Sequence, residues 1–140
     1  MGSLVLEPEM NDTKKILLLE DDKSSARLVT SFLESRGYEM TESHEGRDAI
    51  ESALHQKPDL MIVDVLLPDM HGSEAVKQIC SKDTHKDLKV LFVTSLLSNK
   101  TKPEEEVSIT VSGRKYPALA KPIVPGVLEK AVSRILAGNN

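Results

Sequence analysis

Four short apolar runs in this 140-residue chain lead directly into side chains suited to phosphate chemistry. "ILLL" (16–19) runs into Glu20, Asp21 and Asp22, and "LMIV" (60–63) runs into Asp64. "VLFV" (90–93) is followed by Thr94 and Ser95, and "ALA" (118–120) by Lys121 and Pro122. If each run is a strand of one parallel sheet, all these residues share the edge formed by the strands' carboxyl ends, where open α/β sheets bind ligands. Carboxylates gathered at one place repel, and burying them unpaired is costly. A hard divalent cation relieves that repulsion, and Mg2+ takes a few carboxylates together with water and phosphate oxygens. A lysine and a hydroxyl facing them suit a phosphoryl group. The chemistry implied is a Mg2+-assisted phosphate site with one carboxylate as nucleophile.

The elements that must position these groups are legible from hydrophobic spacing. Apolar doublets four residues apart occur at Leu28-Val29 and Phe32-Leu33, at Ala49-Ile50 and Ala53-Leu54, and at Ala75-Val76 and Ile79-Cys80. A fourth set, Val127-Leu128, Ala131-Val132 and Ile135-Leu136, runs one turn longer. Such spacing lays an apolar stripe along an amphipathic helix. Gly37 ends the first helix and Pro58 lies just beyond the second. The four apolar runs are continuous, as expected of strands covered on both faces, whereas "YEMT" (38–41) alternates and reads as an edge strand. The order β-α-β-α-β-α-β-(?)-β-α calls for a doubly wound parallel sheet with helices on both faces. The open element is 95–117. "TKPE" (101–104) has the form of a capping box with Pro in the first turn, favouring a helix start. "VSITV" (107–111) is β-branched and alternating, favouring a strand, with "SGRK" (112–115) as a turn. Helix and hairpin both stay open.

A chain of this length forms one domain with a real core. Its formal net charge of −4 gives no general attraction to nucleic acid. No apolar run approaches the ~20 residues that span a bilayer. The N-terminal "MGSLVLEPEMND" has no signal-peptide organisation and reads as a flexible extension over residues 1–12, ahead of a domain at 13–138. A lone cysteine, Cys80, excludes an internal disulfide framework and fits a reducing compartment, so a cytoplasmic location is expected. Cys80 falls on the buried stripe of its helix. His44, His55, His71 and His85 show no metal-ligand spacing. Asp22 is suited to cap the first helix, Asp69 to shape a turn, and the acidic run 104–106 to start a helix.

Taken together, "ILLLEDD", "IVDVLLPDMHG", "VLFVTS" and "AKP", in this order and at strand ends, resemble the receiver domain of two-component response regulators over residues 14–137. The resemblance implies a flavodoxin-like five-stranded sheet of order 2-1-3-4-5. It implies that Asp64 takes a phosphoryl group from a phosphohistidine on a sensor histidine kinase or phosphotransfer protein. It further implies Mg2+ held by Asp21, Asp64 and the backbone carbonyl of Leu66, with Glu20 acting largely through water. Lys121 would pair with a phosphoryl oxygen, Thr94 would swing to bond another, and the Lys121-Pro122 bond would be cis. Such a domain modifies itself but turns over no substrate of its own. Its downstream target is unidentified, homodimerisation is open, and neither nucleic acid nor membrane is expected to bind it.

Three departures from the family pattern stand out. The aromatic switch position three residues before the lysine is Ala118, with Tyr116 two residues earlier and expected to point elsewhere. The stretch between Thr94 and Lys121 is long and lacks an alanine-rich fourth helix, so the usual output face of helix four, strand five and helix five is altered. Leu66 and Leu96 flank the pocket and offer no hydrogen bond to orient an attacking water, which implies a long-lived phosphoryl group. Two other readings compete. A haloacid-dehalogenase-type phosphatase also uses an Asp nucleophile and Mg2+, but it wants a second Asp where Leu66 stands. A degenerate receiver acting as a phosphorylation-independent adaptor is opposed by the intact acidic, hydroxyl and lysine set.

Overall fold

The computed structural model describes residues 13–95, 102 and 105–138. In chain order the elements are β1 (Lys15–Leu19), α1 (Lys23–Ser35), β2 (Glu39–Ser43), α2 (Gly46–Gln56), β3 (Leu60–Asp64) and α3 (Gly72–Cys80). After a 3-10 turn at Asp83–His85 come β4 (Val90–Thr94), β5 (Glu106–Val111), β6 (Arg114–Ala120) and α4 (Pro125–Leu136). They build one six-stranded sheet of order β2-β1-β3-β4-β6-β5. The pairs β1–β2, β1–β3, β3–β4 and β4–β6 are parallel, which reproduces the expected 2-1-3-4-5 sheet with β6 as its fifth strand. The sixth, β5, is an antiparallel addition at the edge.

Burial explains the continuous apolar runs. Leu60, Met61, Ile62 and Val63 are all fully buried because both faces of β3 are covered. Leu17, Leu19, Met61, Val63 and Phe92 pack on one face with Ala49 and Ala53 of α2 and Ala75, Val76 and Ile79 of α3. Ile16, Leu18, Ile62, Leu91 and Val93 pack on the other with Val29 and Leu33 of α1 and Leu128, Ala131 and Val132 of α4. The apolar stripe of α1 is narrower than its doublets suggest: Ala26, Val29, Thr30 and Leu33 face inward, and Leu28 is 74% exposed. Asp22 caps α1 as expected, its Oδ1 accepting from the N–H groups of Ser24 and Ser25. The helix ends at Gly37 (φ +94°), where the Gly37 N–H donates to the Glu34 carbonyl and the Tyr38 N–H to that of Leu33. That pair of bonds is the αL stop for which glycine is suited.

Over its described residues 106–117 the open segment is the hairpin. Ser112 (φ +51°) and Gly113 (φ +82°) form a two-residue turn between β5 and β6, and two positive φ values in succession match the natural twist of antiparallel strands. Glu106 opens a strand, not the helix expected of the acidic run. Of the expected capping box, Thr101, Pro103 and Glu104 lie outside the described residues, as does Leu96 and the expected extension at 1–12. Among the described residues no helix is long and apolar enough to cross a membrane.

Candidate functional site

The carboxyl ends of β1, β3, β4 and β6 converge as the strand reading requires. Asp64 is the last residue of β3 and is 6% exposed. Its Oδ2 accepts from Lys121 Nζ at 2.9 Å and its Oδ1 from the Leu66 N–H at 3.3 Å. The same ammonium donates to Glu20 Oε1 at 2.5 Å, while Glu20 Oε2 accepts from the Asp22 N–H at 3.0 Å. Glu20 is buried and Asp21 exposed, so one acid lines the floor and the next opens to solvent. Glu20, Asp21 and Asp64 each present a carboxylate oxygen within 4.8 Å of the others. Thr94 is buried at the end of β4, and its carbonyl accepts from the Lys121 N–H at 2.9 Å, tying the hydroxyl-bearing strand to the lysine-bearing one. The Lys121-Pro122 bond is cis.

Electrostatics at this edge are unbalanced. Three carboxylates face one ammonium within the cluster. Burial is the largest influence on Glu20 and pushes its carboxyl above the ordinary range, against the pull of Lys121 and the Asp22 N–H. Burial also acts most strongly on Lys121, but there the hydrogen bonds and charges of Glu20 and Asp64 outweigh it and the ammonium is held above its ordinary pKa. Lys121 is thus locked as a cation, and surplus negative charge remains on an all-oxygen donor set. Such a set fits a small hard cation, with Mg2+ the natural choice given its preference for carboxylates and water. Metal chemistry there would neutralise a nucleophile and a phosphate that otherwise repel.

The loop after Asp64 is built to hold that carboxylate. Leu66 and His71 form an isolated antiparallel bridge across it, and the Gly72 N–H donates to the Val65 carbonyl at 2.7 Å. A Cβ on Gly72 would lie 2.2 Å from the Asp64 carbonyl oxygen and 2.7 Å from Val63 Cγ1. Only glycine lets α3 begin this close to the backbone of Asp64. Leu66, whose carbonyl the family resemblance assigns to the metal, sits at this loop and is 45% exposed.

Asp69 does more than shape a turn. Its Oδ1 accepts from the Gly46 N–H at 2.8 Å and its Oδ2 from the Arg47 N–H at 3.0 Å, so it caps α2 from 23 residues away. Glu45, the local N-cap, makes no capping bond with its side chain. Those two backbone bonds hold the Asp69 carboxyl below its ordinary range. No local pattern signals a cap supplied from another loop, which is why sequence reasoning missed it. Tyr116, expected to point elsewhere, lies on the same strand face as Ala118. It is buried against Phe92, with ring centroids 6.0 Å apart at 80°, and its hydroxyl lies 3.8 Å from Cys80 Sγ. It therefore belongs to the core, at the strand end away from Asp64. A groove of about 500 Å³ runs from Glu20 and Lys121 between Leu28 and Phe32 of α1 and Ile123 and Pro125 beyond β6.

A sequence model of the response regulator receiver domain matches residues 16–133. The chain is 31% identical over 124 residues to the alkaline phosphatase synthesis transcriptional regulatory protein PhoP of Bacillus subtilis, covering 88% of this chain and 48% of PhoP. It thus spans about half the length of that relative. It is 28% identical to protein PilH of Pseudomonas aeruginosa over 127 residues, which covers 89% of this chain and 98% of PilH. Among solved structures, the Vibrio cholerae chemotaxis protein CheY4 superposes with a TM-score of 0.75 at 29% identity, over 88% of this chain and 98% of that one. The receiver domain of a LuxO repressor protein from Vibrio parahaemolyticus gives 0.74 at 28% identity, over 91% and 92%.

Proposed function

The chain belongs to the response regulator receiver domain family, and from that premise we propose that residues 13–138 form a working phosphoacceptor receiver with Asp64 as the modified residue. The observation that carries this reading is the convergence of Glu20, Asp21, Asp64 and Lys121 from three strand ends into one crevice. Receivers act as signalling domains and not as enzymes with a separate substrate; the phosphoryl group is their input. Asp64 offers a carboxylate already ordered at both oxygens, Oδ2 by Lys121 and Oδ1 by the Leu66 N–H. In the transfer its O–P bond forms as the donor's N–P bond breaks, and the imidazole leaves with the electron pair and takes up a proton. Lys121 then shifts its hydrogen bond from Asp64 to a phosphoryl oxygen while keeping Glu20. Asp21, Asp64 and the Leu66 carbonyl would hold Mg2+, with Glu20 contributing through water. Thr94 would hydrogen-bond a further phosphoryl oxygen and draw its loop inward, a population shift whose size is set by the differential affinity of the two states for the phosphate.

The donor is a histidine kinase or phosphotransfer domain, and the groove between α1 and the turn after β6 fits it. Exposed Leu28 lines this groove together with Glu20 and Lys121, the latter bonded to Asp64. An apolar helix bearing the phosphohistidine can therefore dock beside the acceptor. A cytoplasmic site of action belongs to the same proposal. Acetyl phosphate with Mg2+ should add one phosphoryl group to the wild-type chain by intact mass and none to Asp64→Asn. Equal labelling of both would refute the assignment of Asp64.

A further inference from the structure

The β5–β6 hairpin gives the sheet an edge that differs from its opposite one. The register places Val111 opposite Arg114 across the two-residue turn, then Ile109 opposite Tyr116 and Val107 opposite Ala118. These are the hydrogen-bonded pairs, since hydrogen-bonded and open pairs alternate from such a turn. The neighbouring strand agrees: the Lys121 N–H points to Thr94 of β4, so Leu119 and Pro117, in step with it, also face β4. Pro117, which has no N–H, accordingly sits opposite Ser108 in an open pair and costs no hairpin bond. On β5 the backbone groups of Glu106, Ser108 and Thr110 must then point away from β6. No described strand pairs with them.

Edge strands are ordinarily blunted by lysine, proline, a bulge or shortness. β5 has six residues, "EVSITV", with four β-branched side chains and neither lysine nor proline. Its faces are sorted: Val107 and Ile109 lean on the core but stay only partly buried, while Glu106, Ser108 and Thr110 are exposed. Charge is sorted along its length as well. Glu105 and Glu106 mark its start, and Arg114 and Lys115 mark the hairpin tip.

We propose that β5 is a self-association edge, pairing antiparallel with β5 of a second copy about a two-fold axis at Ser108. In that register Ser108 meets its own copy, Glu106 meets Thr110, and Val107 meets Ile109. Every outward N–H and C=O of the three edge residues finds a partner, and apolar side chains extend the core face from one copy to the other. Antiparallel pairing also sets the acidic start of each strand beside the basic tip of the other. Lys115, cross-strand from Thr110, lies two strands from Glu106 of the second copy, about 10 Å between backbones, within reach of two long side chains. Parallel pairing would set acid against acid, so the charges select the direction. Glu106 would then sit between the second copy's Lys115 and its own Arg134, which it already binds at 2.6 Å. The surface is independent of Asp64 chemistry and stands or falls separately from it.

Sedimentation velocity on the full chain tests this. Wild type should show a concentration-dependent monomer–dimer equilibrium. Ser108→Pro replaces the outward N–H by a ring carbon while sparing every hairpin bond, and losing that bond twice per dimer should weaken association by at least about thirtyfold. Glu106→Lys and Lys115→Glu should each weaken it about fivefold, and an equimolar mixture of the two should recover the wild-type dimer because both cross-contacts become attractive. Hydrogen exchange should show the amides of Glu106, Ser108 and Thr110 gaining protection with concentration while those of Val107, Ile109 and Val111 are protected throughout. A monomer at all concentrations overturns the proposal. So does a dimer indifferent to these variants, or an edge protected only when another protein is added.

Discussion

At its carboxyl end β6 delivers Lys121 into a crevice completed by acids from β1 and β3, whereas at its amino end it folds back on β5 and lays Tyr116 over Phe92 beside Cys80. The two ends are about 16 Å apart along the strand. At the first, polar groups are fixed by others from distant parts of the chain, and backbone close approach leaves no freedom. At the second, an antiparallel hairpin occupies the sheet edge beyond β6, and an aromatic ring has become core. The difference teaches that the two ends of β6 are held by separable interactions: charge pairing and close backbone approach at the first, the covering of the sheet at the second.

The sharpest way to break that comparison is a change at the rigid end that introduces no new charge. Gly72→Ala pushes a Cβ into the Asp64 carbonyl and Val63. We expect a loss of about 3 kcal/mol in urea unfolding, and loss of phosphoryl uptake in whatever protein remains folded. Gly126, where an added methyl would meet no atom within 4 Å, is the control, and Gly126→Ala should leave both measurements near wild type. A Gly72→Ala protein as stable and reactive as its parent would mean the loop is not held as tightly as its contacts indicate.

At the other end the expectation is reversed. Tyr116→Ala empties a buried aromatic site and should cost about 3 kcal/mol, yet Asp64 labelling by acetyl phosphate under folding conditions should keep its wild-type rate. If uptake slows by an order of magnitude while the chain stays folded, Tyr116 is coupled to the switch and the separation of the two ends fails.

Smaller than both is the effect expected at the groove beside α1. Leu28→Glu removes an exposed apolar contact without touching the core, so stability should be unchanged. Transfer from a phosphohistidine protein should fall about tenfold, from one lost interface anchor, while acetyl phosphate labelling stays as it was. An equal fall with both donors would place Leu28 in the chemistry and not in docking.

How much of this was legible follows the same division. Glu20, Asp64, Thr94 and Lys121 could be placed because continuous apolar runs such as Leu60–Val63 have one explanation, a strand covered on both faces, and the residue after each run then has a known position. Asp22 and Gly37 were readable because their bonds stay within a few residues. Segment 106–117 was not, because β-branched alternation and an acidic run pull in opposite directions, and only the pairing of Val107 with Ala118 and Ile109 with Tyr116 decides between them. Leu28 misled for a related reason: it adjoins Val29 in sequence but lies outside the inward face of α1 formed by Ala26, Val29, Thr30 and Leu33. Asp69 escaped because its partners lie in another helix.

That last residue carries the smallest effect and a definite sign. The carboxylate of Asp69 accepts from the Gly46 and Arg47 N–H groups at the positive end of α2, which holds its pKa below the unfolded value of about 4. A depressed folded pKa means that the unfolded chain binds the proton more readily, so the contribution is fully present above about pH 4 and is lost as pH falls through the folded pKa. Asp69→Asn keeps one acceptor oxygen but no charge. Thermal melts of the two proteins should therefore differ by a constant amount from neutral pH down to about pH 5 and converge below about pH 4. Because Asp69 is solvent-exposed, added salt should shrink the gap as well. A gap that persists unchanged at pH 3 would show that the cap works through its neutral hydrogen bonds alone, and that α2 is not anchored to the acceptor loop by charge.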